Sequence, residues 1–196
     1  MVNSMILFFL LILILYIYKF YSDKQWQKKP LRNFPFFHRG KQFWYSRSVA
    51  TTVGVFCKDS EGEWRVLANK RGRGTPDFQG FWNITCGYLE HDVTGEENCQ
   101  KEIFEETGVF VPIELIKFRS VKTDPSENKQ NVSLRYSAFL NGVCDDYETT
   151  DIHSEKDEVA DIRWIPLSDV SNYEWAFGHE DLIIKMFNEH NKNKVA

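Results

Sequence analysis

The sequence predicts an α+β fold, a mixed β-sheet sandwiched between helices and preceded by a single N-terminal membrane-anchor helix. Three observations carry that prediction. Runs rich in β-branched and aromatic residues outnumber helical patterns, the helical patterns stand far apart in the chain, and an unbroken apolar run precedes them all. With 196 residues, 42% apolar and 27% charged, the chain can bury one sizeable core, so one domain with extensions is expected.

The apolar run is Met5 to Tyr18, 14 residues, extended by Phe20 and Tyr21 beyond Lys19. No Lys or Arg precedes it and no small-residue cleavage site follows it, which disfavours a cleaved signal. All nearby bases lie on its C-terminal side, and Tyr16, Tyr18, Tyr21 and Trp26 suit an interfacial belt, so residues 1–21 read as an anchor with the body in the cytosol. Residues 22–48, rich in Lys, Arg, Pro and aromatics, read as a basic juxtamembrane linker. Up to residue 48 there are eight Lys/Arg and one acid, Asp23, a net of +7, which leaves the rest of the chain at −11. An acidic body argues against a nucleic-acid partner. Cys57, Cys86, Cys99 and Cys144 form no CxxC pair and no zinc spacing, as expected of a reducing compartment.

From Val49 the pattern turns to strands. VATTVGVFC and EWRVLANKR flank KDSEG, a hairpin signal. The glycine-rich loop RGRGTPDFQG follows, then FWNITCGYL as one strand. After the first helix, VPIELIKFRS, NVSLRYSAFLN and VADIRWIPL read as further strands. The segment WAFGHEDLIIKMFNEH reads as an amphipathic helix with Leu182, Ile183, Met186 and Phe187 on one face, and residues 191–196 as a tail. His179 in this segment reads as a partly exposed helix-cap residue.

The first helix carries the chemistry. Thr94 is an N-cap with Glu97 three residues on, and Gly108 supplies the left-handed stop. Between them Glu102, Glu105 and Glu106 fall on one side of a Cys99/Ile103 core stripe, near the negative end of the helix dipole. Lys101 is placed to pair with Glu97 four residues back, and no base stands four residues ahead of Glu102 or Glu105. A solvated acidic face is one reading of this crowding; a hard divalent cation, which prefers oxygen ligands and phosphate, is the other.

The stretch GYLEHDVTGEENCQKEIFEETGV, residues 87–109, closely resembles the signature of the Nudix hydrolase family, G-x5-E-x7-R-E-U-x-E-E-x-G-U, where U is aliphatic. Gly87, Glu102, Ile103, Glu105, Glu106, Gly108 and Val109 match without a gap; Val93 and Lys101 stand where the family has Glu and Arg. The resemblance covers residues 49–190 and implies the Nudix fold. It also implies Mg²⁺, with Mn²⁺ as the alternative, held by Glu102, Glu105, Glu106 and the Gly87 carbonyl. A downstream loop acid, Glu158 in preference to Glu155 and Asp157, is implied as further ligand or base. Glu102 or Glu158 would take the proton of an attacking water, and Arg71 and Arg73 would hold phosphate oxygens. The implied substrate is a nucleoside diphosphate derivative. KTDPSENKQNVSLRY, WAFGHEDLI and the spacing to Pro125 resemble the ADP-ribose pyrophosphatase branch and point to ADP-ribose or a related nucleotide sugar.

Two other readings remain. One is a Nudix-fold nucleotide sensor without hydrolysis, for which Val93 and Lys101 would be signs of decay. The other is isopentenyl diphosphate isomerase, suggested by Cys86 directly before Gly87. A homodimer is left open. The anchor reading has a direct check: the full-length protein is expected to pellet with membranes and a chain beginning near Phe43 to stay soluble, and full-length protein in the soluble fraction would defeat it.

Overall fold

In the computed structural model of the chain, the described residues are 12–13, 33–124 and 131–195. The anchor expected at residues 1–21 therefore lies almost wholly outside them, as does Pro125. Among the described residues no helix is long and apolar enough to cross a membrane. The chain divides into two compact units, Met1–Ser46 and Arg47–Ala196.

Within the first unit the stretch read as linker contains a hairpin. Strands β1 (Phe34–His38) and β2 (Lys41–Tyr45) pair antiparallel, with Phe36 opposite Phe43. Arg39 and Gly40 both have positive φ, the backbone twist a two-residue hairpin turn requires. A cut at Phe43 would run through β2, so Arg47 is the cleaner place to separate the units.

The second unit is built on one mixed sheet. Strands β3 (Val49–Lys58) and β4 (Trp64–Arg71) form the expected hairpin. Asp59 closes it by accepting from the Glu61 and Glu63 amides and from Arg65 Nε. The stretch read as one strand splits into β5 (Trp82–Asn83) and β6 (Cys86–Tyr88), because β5 pairs with β4 while β6 pairs with β3. The region after the first helix opens as a 3-10 turn, Ile113–Leu115, before β7 (Lys117–Lys122). Strand β8 (Val132–Val143) runs parallel to β3 and antiparallel to β7, and β9 (Val159–Pro166) pairs antiparallel with β4. The main path of the sheet is β5-β4-β3-β8-β7.

Strand alternation sends the core to both faces. From β3, Val53, Val55 and Cys57 pack with Cys99 and Ile103 of helix α1 (Gly95–Thr107). On the other face Phe56 packs with Leu182, Ile183 and Met186 of helix α2 (His179–Val195). Helices therefore sandwich the sheet. Helix α2 runs to Val195, so most of the expected tail continues it.

Both ends of α1 are fixed by local chemistry. Thr94 and Glu97 form the reciprocal capping box, and Gly108 sits at φ 74° with its N–H donated to the Phe104 carbonyl. A side chain at residue 108 would also run into Thr150. Gly108→Ala should destabilise the protein by about 1–3 kcal/mol through left-handed strain and that contact, read as a lower urea midpoint; an unchanged midpoint would contradict the cap assignment.

Candidate active site

Helix α1 repeats its core contact at Cys99, Ile103 and Glu106, a spacing that keeps one face against the sheet. Glu106 thus takes a core position and is only 4% exposed. Its Oε2 accepts from Asn69 Nδ2 at 2.7 Å, and the Thr85 side chain also bonds to it. A solvated acidic face is excluded for this residue.

Glu102 lies one turn earlier, partly buried, with its carboxylate against the backbone of Gly87. A β-carbon at residue 87 would occupy the carboxylate's own space, so any larger residue there would have to displace the Glu102 side chain. Burial first, and Glu105 second, push the Glu102 carboxyl up to about 7. Burial, then Glu102 and then Glu158, push Glu106 well above the carboxylate range. Glu158, half-buried on the loop before β9, is raised chiefly by burial. The structure therefore brings Glu102, Glu106 and Glu158 within each other's fields.

Glu105 differs. It is 40% exposed at the side chain and its Oε2 lies 3.5 Å from Lys101 Nζ. The expected Lys101–Glu97 pair does not form, because Glu97 is engaged by Thr94; Lys101 donates instead to Glu90 at 2.6 Å. The acid that sequence reading missed is therefore Glu90, three residues before Val93. Asn98 reinforces the same loop, accepting from the Glu90 amide and donating to Thr51. Asn69 was missed too, although its signal was legible: it stands on the same face of β4 as core residue Leu67, where an apolar residue is expected.

Arg71 is bound on two sides. Its Nη2 meets Asp77 Oδ1 at 2.6 Å and its guanidinium lies 4.9 Å from the centre of the Phe177 ring. Arg71 and Arg73 line an open groove of about 500 Å³ with Lys70, Gln79 and Asp161. The Gly72 and Gly74 amides donate to the carbonyls of Glu158 and Asp157 at 2.6 and 2.7 Å, tying the arginine loop to the loop of Glu158. His179 is buried rather than partly exposed, and its Nδ1 accepts from the Ile84 amide. Burial and Glu106 push the Cys86 thiol up, which disfavours the thiolate.

Among the described residues no three Asp, Glu, His or Cys side chains already converge into a finished cage. The donor set nonetheless fits a hard cation. It is all oxygen, its members raise one another's proton affinity, and Lys101 offsets only part of that repulsion at Glu102.

The NUDIX domain description matches residues 49–186. The chain belongs to the Nudix family. A curated relative, the NAD-capped RNA hydrolase NudC of Mannheimia succiniciproducens, is 30% identical over 101 residues, half of this chain and 33% of that protein. The chain thus spans about a third of the length of the curated relative it matches. Among solved structures, the NUDIX domain of Shewanella oneidensis NrtR complexed with ADP ribose superposes with a TM-score of 0.59 at 20% identity, covering 78% of this chain and 90% of that one. The bifunctional NMN adenylyltransferase/ADP ribose pyrophosphatase of Francisella tularensis, complexed with AMP and a manganese ion, gives 0.57 at 19%, covering 89% and 47%. At these identities the structures establish the fold alone.

A raised carboxyl pKa makes the folded state bind the extra proton, so its stabilising contribution is complete below the unfolded value near 4.5 and lost as pH rises through about 7. Above pH 7 the metal-free protein carries a charge at Glu102 that Lys101 offsets only in part. In chelator, Glu102→Gln should therefore be more stable than the wild type by about 1–2 kcal/mol at pH 8, after allowance for solvent screening, and should lose that advantage at pH 4.5. Thermal melts at the two pH values read the difference; a variant less stable at pH 8 would refute the crowding.

Proposed function

We propose that this chain hydrolyses the diphosphate linkage of a nucleoside diphosphate derivative with the help of Mg²⁺ or Mn²⁺, ADP-ribose or a related nucleotide sugar being the first candidate. The observation that carries the reading is the buried Glu106, held by the neutral amide of Asn69 and crowded by the carboxylates of Glu102 and Glu158. A fold gains nothing from a carboxylate in that position; a site for cation and phosphate does.

Glu102, Glu105 and Glu106 would hold the ion, with the Gly87 carbonyl and Glu158 completing the set. The bound ion would supply charge neutralisation for the diphosphate and an acidified water. Glu102, whose carboxyl sits at about 7, and Glu158, whose carboxyl is raised by burial, are the candidates to take the proton of the attacking water. Arg71, clamped by Asp77 and Phe177, is pre-set to meet phosphate oxygens, with Arg73 beside it in the groove. Water attacks phosphorus, the anhydride P–O bond breaks, and two phosphate-bearing products leave.

The Nudix domain that holds ADP ribose supports ADP-ribose as first candidate, and the relative acting on NAD-capped RNA supports a diphosphate joined to a nucleoside. A sensor without hydrolysis is the second reading. Isomerase chemistry through Cys86 is disfavoured by its raised thiol pKa. The proposal includes attachment to a membrane through residues 1–21, with the Nudix unit facing the cytosol.

Screening the protein against a panel of nucleoside diphosphate derivatives, with Mg²⁺ and with chelator, should find one or more substrates hydrolysed only with metal. Glu105→Gln and Glu106→Gln should each lower that rate by at least about a hundredfold with the fold retained. Undiminished turnover in both would refute the site, and tight nucleotide binding without turnover in the wild type would select the sensor.

A further inference from the structure

Two phenylalanines in the second unit carry a backbone conformation that bulky side chains avoid. Phe78, in the loop after β4, has φ 48°, and Phe177, at the kink before α2, has φ 57°. They come from segments about a hundred residues apart, yet their rings meet edge to face at 4.8 Å, with Phe81 against Phe78 at 5.7 Å. Were residue 78 present only to close a turn, Gly or Asn would fit its φ without strain. Were it present only to fill a core, it would be buried; instead it is 45% exposed. It bears strain and keeps an aromatic surface in water, the combination expected where a ring waits for a flat ligand.

Its position says which ligand. Phe177 carries the Arg71 guanidinium over its ring, Arg71 lines the basic groove, and Gln79, the residue next to Phe78, lines it as well. Arg71 also acts on Glu158 at the carboxylate end. Arg71 thus links carboxylate and rings: it acts on Glu158, lies over the Phe177 ring that meets Phe78, and is bonded to Asp77, the residue before Phe78.

We propose that Phe78, backed by Phe177, is the stacking platform for the nucleobase of the substrate, so that specificity for a nucleoside over a bare diphosphate is set here. The choice of a nucleotide as ligand rests on the hydrolase reading; the contact itself is a binding property and is tested without turnover. The Arg71 guanidinium meets the phosphates while the neighbouring Phe78 ring takes the base, through dispersion that does not distinguish strongly among bases.

The test is binding of two probes, ADP and inorganic pyrophosphate, to the full-length protein with Mg²⁺ by titration calorimetry. Phe78→Asn suits the left-handed backbone and should keep or raise the melting temperature. It should weaken ADP about tenfold or more while leaving pyrophosphate within about twofold. Phe78→Tyr should restore ADP binding. Equal loss for both probes, or unchanged ADP binding in a folded Phe78→Asn protein, would overturn the platform. Failure of the hydrolase reading shows differently, as absence of Mg²⁺-dependent turnover in the wild type whatever the ratio of the two affinities.

Discussion

The site depends on one costly placement, a carboxylate at a core position of α1 with an asparagine amide as its partner. Glu106 lies 4% exposed and accepts from Asn69 Nδ2 at 2.7 Å. Its hydrogen bonds with the neutral side chains of Asn69 and Thr85 return only about 1 kcal/mol net each, less together than burying an ionised group costs. That imbalance, with the fields of Glu102 and Glu158, raises the proton affinity of Glu106 well above the ordinary carboxylate range. Everything around it is consistent with that tension. Glu102 is pressed against Gly87, where a side chain would displace it, and the capping box at Thr94 and left-handed Gly108 stop the helix from fraying under the repulsion.

A second constraint brings opposite charge to the same place. The loop after β4 would drift freely were it held only by its ends, but the Gly72 and Gly74 amides donate to the carbonyls of Glu158 and Asp157. A β-carbon at residue 72 would collide with the Asp157 carbonyl, so the approach needs glycine even though φ there is unremarkable. This backbone staple sets Arg71 close enough to Glu158 to oppose the upward push that burial gives its carboxyl, and it fixes the mouth of the groove.

Much of this was legible in the sequence because it is local. The α1 caps, the β3–β4 hairpin and the apolar face of α2 each follow from residues within a few positions of one another. Long-range pairing was not legible. FWNITCGYL looks like one strand, yet its two halves bond to different partners; the basic linker hides a hairpin whose turn is an Arg-Gly pair rather than Asn-Gly. His179 gave no sign of burial, since its partner amide belongs to Ile84, 95 residues away. The carboxylate trio was visible as a motif, but which of its members would be buried depended on Asn69 from another strand.

The departures at Val93 and Lys101 gain a different meaning in space than in sequence. Lined up with the family pattern they suggest decay, since an acid is lost and a guanidinium becomes an ammonium. In the fold Lys101 has an acid after all, Glu90, from the same loop, and its single ammonium also reaches Glu105. An arginine fork would make a stronger bidentate grip on one carboxylate; a lysine serves two carboxylates as a point charge. The consequence is a division within the trio. Glu105 is exposed and already paired with a cation, whereas Glu102 and Glu106 are pushed toward their protonated forms by burial and by each other, and it is those two that an incoming divalent ion would relieve most.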